Sequence, residues 1–303
     1  MNGVLIIDKP SGLTSHDVVA RVRRILQQKA VGHLGTLDPM ATGVLPLVLG
    51  NMTRLAQFYL ASEKSYEGAI RFGFATDTYD AEGEPISEPQ QPSLTLTLIR
   101  ELAAKFVGSI EQMPPPFSAK KIKGVPAYKL ARKKKEVVLT PVTVEIKQFE
   151  ILAMQDVDDD VGTGACARFQ ARVASGTYMR SVAHEMGQLA GCGAHLQSLR
   201  RTAVAEFELE DAHTLEQLEQ AAQGAKGEEA IADLLIHPRK LLPSIPSVTA
   251  TDDVIARIRH GRSVNLPELS RAREVKVFYG QRELMAISTR IAGTLFHPRI
   301  VLL

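Results

Sequence analysis

The sequence predicts a fold of mixed helices and strands on three observations. Short apolar runs with strand character interleave with segments of helical period along all 303 residues, instead of separating into a helical and a β half. Two strand candidates, residues 142–151 and 167–174, follow one another across an acidic turn as the arms of a hairpin do. Beyond the linker Pro243-Ser244-Ile245-Pro246-Ser247, the last 56 residues carry a helix and short strands of their own.

In chain order, residues 4–8 form a short buried strand, and Lys9-Pro10-Ser11-Gly12 turns the chain into a helix over 15–26 with Val18, Val22, Ile25 and Leu26 on one face. Residues 44–49 are a strand, 53–62 a helix, and 66–74 a strand with Tyr66 near its start. The stretch Asp80-Ala81-Glu82-Gly83-Glu84 is a turn, and a helix covers 95–106. Residues 113–119 hold too much proline for a helix or a central strand. The acidic run at 156–162 is a solvated hairpin tip, since it lacks the Asp-x-Asp-x-Asp-Gly spacing of a calcium loop. Helices follow at 178–190, near 215–223 and at 252–259, with strands near 275–278, 284–288 and 300–303.

Composition narrows the function classes. With 45% hydrophobic and 23% charged residues the chain can bury a full core. A formal net charge of only +2 means that any polyanionic partner must meet a local patch. Cys166 and Cys192 form neither a disulfide framework nor a Cys/His zinc pattern, as expected in a reducing compartment. No basic leader and no apolar run of about 18 residues is present, so the protein is expected to be cytoplasmic, without membrane contact.

The segment Gly32-His33-Leu34-Gly35-Thr36-Leu37-Asp38-Pro39-Met40-Ala41-Thr42-Gly43-Val44-Leu45-Pro46 places one carboxylate in a loop punctuated by three Gly and two Pro. Pro39 biases Asp38 toward extended backbone, and the glycines permit turns and close approach. That constraint suits a carboxylate that must meet a substrate. Between Lys120 and Lys135 stand eight Lys or Arg residues and no acidic one, with Tyr128 interleaved. A polyphosphate backbone would neutralise such a run by releasing counterions, whereas a solvated helix face is the plainer alternative. In Ser175-Gly176-Thr177-Tyr178-Met179-Arg180, the arginine falls in the first turn of a helix, where the macrodipole disfavours a cation without an anionic partner. Asp38, a substrate phosphate or an ordinary structural carboxylate would each satisfy it. Beside Asp38, its guanidinium would keep the carboxylate ionised.

Several spaced segments agree in order: residues 4–12 with Lys9-Pro10, residues 32–46 with Asp38, Lys64-Ser65-Tyr66, residues 114–120, residues 175–180, and Gly193-Ala194-His195-Leu196-Gln197-Ser198-Leu199-Arg200-Arg201. Together they closely resemble the TruB-type tRNA pseudouridine synthases over the whole chain. The resemblance implies an α+β fold, with a mixed, largely antiparallel sheet flanked by helices as the catalytic domain at 1–242 and a basic RNA-binding insertion about 113–140. A small β-rich, PUA-like RNA-binding domain is implied at 248–303. The implied reaction converts the T-loop uridine at tRNA position 55 to pseudouridine, with no metal or organic cofactor.

Carried over residue by residue, the resemblance makes Asp38 the essential carboxylate and Arg180 its partner. Tyr66 stacks on the target base and can take part in proton transfer at C5. Tyr178 and Leu199 line the pocket, His33 positions the T-loop, and Lys9 and Pro10 support the catalytic loop; the charge run itself, not the resemblance, makes Lys120, Lys121 and Lys123 candidates to contact RNA. The implied partner is the tRNA T-arm, with a monomeric enzyme and no obligate protein partner. Two other functions fit parts of the pattern: a noncatalytic tRNA-binding or RNA-folding protein, which would not need Asp38 beside Arg180, and a guide-RNA-dependent pseudouridine synthase.

Overall fold

A computed structural model describes residues 1–90, 93–117, 121–122, 125–126, 139–159, 162–268 and 270–302. Its helices are α1 Ser15–Ile25, α2 Ala56–Tyr59, α3 Leu96–Ala104, α4 Met179–Ala190, α5 Leu215–Gln223, α6 Gly227–Asp233 and α7 Asp252–Arg259. The first eight strands are β1 Gly3–Lys9, β2 Val31–His33, β3 Thr42–Leu49, β4 Lys64–Phe72, β5 Gly108–Gln112, β6 Lys121–Ile122, β7 Val125–Pro126 and β8 Val142–Asp159. The second eight are β9 Gly162–Val173, β10 Ala194–Val204, β11 Phe207–Glu208, β12 Ser247–Thr249, β13 Val264–Asn265, β14 Glu274–Tyr279, β15 Glu283–Ala292 and β16 Leu295–Val301. The architecture is therefore the expected mixed α+β class, with a mostly antiparallel sheet and a β-rich C-terminal segment. No described helix is long and apolar enough to cross a membrane.

The chain divides into two compact units, one of Met1–Leu37, Val44–Leu60 and Ala205–Leu303, the other of Asp38–Gly43 and Ala61–Val204. In the first unit, β1 borders β3, and β2 pairs antiparallel with β3 through Val31↔Leu49 and His33↔Leu47. Helix α1 starts at a reciprocal cap: Asp17 N donates to Thr14 Oγ1 at 3.1 Å and Thr14 N to Asp17 Oδ2 at 2.9 Å. It buries Val18, Val19 and Val22, whereas Ile25 and Leu26 are only half-buried. The C-terminal segment forms a five-stranded sheet, β12-β14-β15-β16-β13, with α7 packed by Ile255 and Ile258 into the same core as Val275, Val277 and Phe296.

In the second unit the order is β10-β4-β9-β8-β5, antiparallel at each of the pairings among these five strands. Residues Thr42 and Gly43 of β3 run parallel to Arg200 and Arg201 of β10. Helix α3 packs on β8, and the rings of Phe106, Phe149 and Phe169 meet edge to face, at 6.3 and 5.5 Å between centroids.

Several element boundaries differ from the sequence reading. The helix expected at 53–62 is a 3₁₀ turn, Gly50–Leu55, followed by the single-turn α2, because Gly50 enters the segment at φ +59°. The acidic run is not merely a hairpin tip. β8 continues through it to Asp159, pairing Asp156, Asp158 and Asp159 opposite Ala165, Thr163 and Gly162. Strands β2, β5, β6, β7, β10, β11, β12 and β13 and helix α6 are additional to the elements read from the sequence. Of the basic segment, Lys120, Lys123 and residues 127–138 lie outside the described residues, and Lys121 belongs to β6.

Candidate active site

Asp38 is presented by a loop fixed from its own sequence. In the first unit, buried Ser15 at the start of α1 accepts from Leu37 N at 2.8 Å and donates to Leu37 O at 3.2 Å, so the residue just before Asp38 is held at both backbone groups. In the second unit, Ala41 N donates to Asp38 O at 3.1 Å and closes a turn around Pro39 and Met40. Gly43 has φ +100°, and a Cβ there would run into the Arg201 carbonyl oxygen. Glycine is therefore required where β3 approaches β10.

Arg180 is the second residue of α4, in the first turn as expected, and its guanidinium lies between two carboxylates. Nη2 donates to Asp38 Oδ1 at 3.1 Å, while Nε sits 3.0 Å from Asp38 Oδ2. The Nε–H is misaligned with that oxygen, so this second contact is ionic, without hydrogen-bond geometry. On its far side, Nη1 lies 3.4 Å from Asp80 Oδ2 and donates to Thr78 O at 3.2 Å, and Nη2 also donates to Phe117 O at 2.9 Å. The side chains of Arg180 and Asp80 are 6% and 5% exposed, that of Asp38 36%. One carboxylate is thus enclosed and structural, and the other is open to a ligand. Asp80 is fixed in turn, accepting at Oδ1 from Thr78 Oγ1 at 2.6 Å and from Glu82 N at 3.1 Å. Two anions at the helix start offset the unfavourable dipole acting on Arg180.

Tyr66 lies opposite Arg201 in the β4–β10 ladder and shares a side-chain hydrogen bond with it. Arg201 is fully buried; burial pulls its pKa down, and the nearby Tyr66 and Asp38 oppose that shift. Burial, with a contribution from the positive Arg201, lowers Lys64 to about 8. Tyr66 and Leu199, both 8% exposed, occupy the same two strands. Half-buried Tyr178 caps α4. Its N–H donates to Gln112 Oε1 at 2.8 Å and its carbonyl accepts from Gln112 Nε2 at 3.1 Å, so one buried amide clamps both backbone groups.

Asp38, Tyr66, Tyr178, Arg180 and Leu199 therefore fall in one compact unit, whereas Lys9, Pro10 and His33 belong to the other. Lys9 is fully buried and donates to Pro10 O at 2.8 Å and Leu13 O at 2.5 Å, tying together the turn that leads into α1. His33 Nδ1 accepts from Gly35 N at 3.3 Å, and its ring meets His16 edge-on at 5.5 Å. Ser15, Asp80, Gln112 and Arg201 were not singled out by sequence. Ser15 opened an expected helix, Asp80 an expected turn, and Arg201 lay in a motif already noted; its place opposite Tyr66 follows from strand register. Among the described residues, no group of three His, Cys, Asp or Glu side chains is arranged to hold a metal ion.

Comparison with known proteins matches the chain to a family. Residues 23–179 match the TruB family pseudouridylate synthase N-terminal domain, and residues 180–242 the tRNA pseudouridylate synthase B C-terminal domain. A protein of Solibacter usitatus named tRNA pseudouridine synthase B is 48% identical over 305 residues, covering 100% of both chains. One of the same name from Opitutus terrae is 46% identical over 72% of this chain and 88% of its own. Among solved structures, a chain of a Cbf5–Nop10–Gar1 complex superposes with a TM-score of 0.70 at 26% identity, over 99% of this chain and 85% of that one. Two family models that together span residues 23–242 and a relative 48% identical over the whole chain agree, and the chain belongs to the TruB family of pseudouridylate synthases.

Proposed function

We propose that this enzyme isomerises the T-loop uridine at position 55 of tRNA to pseudouridine, with Asp38 as the reacting carboxylate. The observation that supports it most directly is the Arg180–Asp38 pair, 3.0 and 3.1 Å, in which the carboxylate retains an open face while its cation is enclosed. The relatives named tRNA pseudouridine synthase B support tRNA as the substrate.

A uridine stacked in a folded T-loop must be flipped out, which costs a few kcal/mol, and received on an aromatic face. Tyr66 supplies that face, with Tyr178 and Leu199 completing the pocket wall. The N1–C1′ bond then breaks, the uracil turns while enclosed, C5 bonds to C1′, and the proton on C5 leaves to solvent, directly or relayed by the Tyr66 hydroxyl, as N1 gains one. Atoms balance with no group transferred in or out. The carboxylate assists by adding to the sugar at C1′ or to the base ring; either route needs a charged Asp38, which the guanidinium favours. Water must be kept from the intermediate, since its attack would release the base. His33 positions the T-loop, Lys9 and Pro10 brace the turn before the catalytic loop, and Lys120, Lys121 and Lys123 with their neighbours meet RNA phosphates. Residues 1–242 act as the catalytic domain, and 248–303 as a PUA-like module that adds RNA contacts in a cytoplasmic, monomeric enzyme.

The test is to incubate the purified chain alone with a short T-arm hairpin and map pseudouridine by sequence position. Conversion at the T-loop uridine is expected. Conversion only when a guide RNA and partner proteins are added would favour a guide-RNA-dependent pseudouridine synthase, and binding without conversion would favour an RNA-folding protein.

A further inference from the structure

Tyr79 is the residue between the two groups that hold Arg180 from behind, the Thr78 carbonyl and the Asp80 carboxylate. It adopts φ +66°, a left-handed conformation unusual for a bulky side chain. Its ring lies on that of His184 with centroids 3.8 Å apart and planes 11° from parallel. His184 is four residues beyond Arg180 on α4, so both side chains project from one helix face.

The turn that carries Asp80 is thus fastened to α4 at two successive levels, by charge at Arg180 and by ring contact at His184. His184 Nδ1 is buried with no hydrogen-bond partner among the described residues, and its Nε2 meets only the exposed Gln188 amide at 3.1 Å. A buried ring nitrogen left unpaired carries a cost, so hydrogen bonding does not explain this ring's placement, and stacking does. The backbone of Tyr79 is held in its unusual conformation from β10, where Leu196 N donates to Tyr79 O at 2.9 Å, and from Thr76, whose carbonyl accepts Tyr79 N at 3.3 Å. Without the ring contact, the turn would keep its hold on α4 at Arg180, through the Thr78 carbonyl and the Asp80 carboxylate, and Arg180 would gain freedom to swing with Asp80.

We propose that the Tyr79–His184 stack is a positioning element for the isomerisation reaction proposed above: it fixes the Thr78–Asp80 turn against α4 and thereby the guanidinium that orients Asp38. Tyr79 and His184 touch neither substrate nor reacting atoms. Their effect passes through Arg180, so it is felt in the chemical step more than in RNA affinity.

Two substitutions separate ring from backbone. Tyr79→Phe keeps the stack, and Tyr79→Asn keeps a residue that tolerates the left-handed conformation while removing the ring. From the usual worth of an aromatic pair, Tyr79→Asn should lower kcat on a T-arm hairpin by about three- to tenfold with KM within about twofold, and Tyr79→Phe should stay within about twofold of the parent. His184→Asn should match Tyr79→Asn, and the double variant should be no slower than either, because one contact is removed in all three. Independently of activity, the Arg180 Nε–H resonance in a ¹H–¹⁵N spectrum should be single and sharp in the parent and in Tyr79→Phe, and broadened or shifted in Tyr79→Asn. An unchanged kcat and an unchanged Arg180 resonance in Tyr79→Asn, or losses that add in the double variant, would overturn the positioning role. An inactive parent would refute the isomerase function instead, and the Arg180 resonance would still decide whether the stack holds the guanidinium.

Discussion

Asp80→Asn removes one negative charge from behind Arg180 and leaves the size of the side chain unchanged. In the structure Asp80 Oδ2 lies 3.4 Å from Arg180 Nη1, with both side chains almost fully enclosed. At that separation and an effective dielectric constant of about 20, the Coulomb attraction is ~5 kcal/mol. Two effects offset part of it. An amide costs less to bury than a carboxylate, and Asn Oδ1 can still accept from Thr78 Oγ1 and Glu82 N. A net loss of about 2–3 kcal/mol in folding stability remains, below the usual cost of breaking a buried pair because Asp38 still neutralises the guanidinium. The same change frees Arg180 to shift toward Asp38, and a displacement of about 1 Å at a reacting group can cost about a hundredfold in rate. Urea unfolding with a fitted slope should report the stability loss. Single-turnover conversion of a T-arm hairpin should slow by about ten- to a hundredfold, with RNA affinity within about twofold. A folded Asp80→Asn protein with the parent's single-turnover rate would refute the idea that the enclosed carboxylate sets the position of Arg180.

Gly43→Ala places a Cβ against the Arg201 carbonyl oxygen at a backbone φ of +100°, so chemical unfolding should show a loss of about 3 kcal/mol or more; a loss under about 1 kcal/mol would mean that β3 and β10 separate readily. Burial lowers the pKa of His184 and also that of His195, whose contacts with Phe74 O and Gln197 oppose the shift. The unfolded chain therefore binds more protons below its histidine pKa of about 6.5, and urea midpoints should fall as pH drops from 7.5 to 5.5; a flat profile would contradict enclosure of these rings. Replacing Lys133, Lys134 and Lys135 together with Ala should weaken tRNA binding and flatten its salt dependence by about two to three in log–log slope, whereas an unchanged slope would assign the run to solvated surface.

What could be read in the sequence and what could not follow from how local each signal is. Asp38 was legible because Gly32, Gly35, Gly43, Pro39 and Pro46 crowd one short loop, and Arg180 because a cation in the first turn of a helix asks for an anion. Asp80 was not, since five consecutive turn-forming residues look the same whether or not one carboxylate is folded inward onto a helix. Gln112 is a lone amide on the short strand β5, and only the fold brings it to the backbone of Tyr178. Strand β10 escaped notice for a physical reason: its pairing with β4 shifts register between Leu196 and Ser198 and again between Arg201 and Ala203, which breaks the alternation that reveals a half-buried strand. Arg201 was hidden with it. β8 ran further than expected, its ladder pairing Asp156, Asp158 and Asp159 with Ala165, Thr163 and Gly162. The helices α1, α3 and α5 were clear at their starts, where Thr14, Thr95 and Thr214 each accept from a backbone N–H three residues on.

The account turns on the open carboxylate of Asp38, and Asp38→Asn tests it most directly. The variant keeps the shape of the side chain, so tRNA affinity should remain within about threefold of the parent. Pseudouridine at the T-loop position should be absent after incubation long enough for the parent to convert all of its substrate. Full conversion by the Asn variant would contradict the role assigned to Asp38.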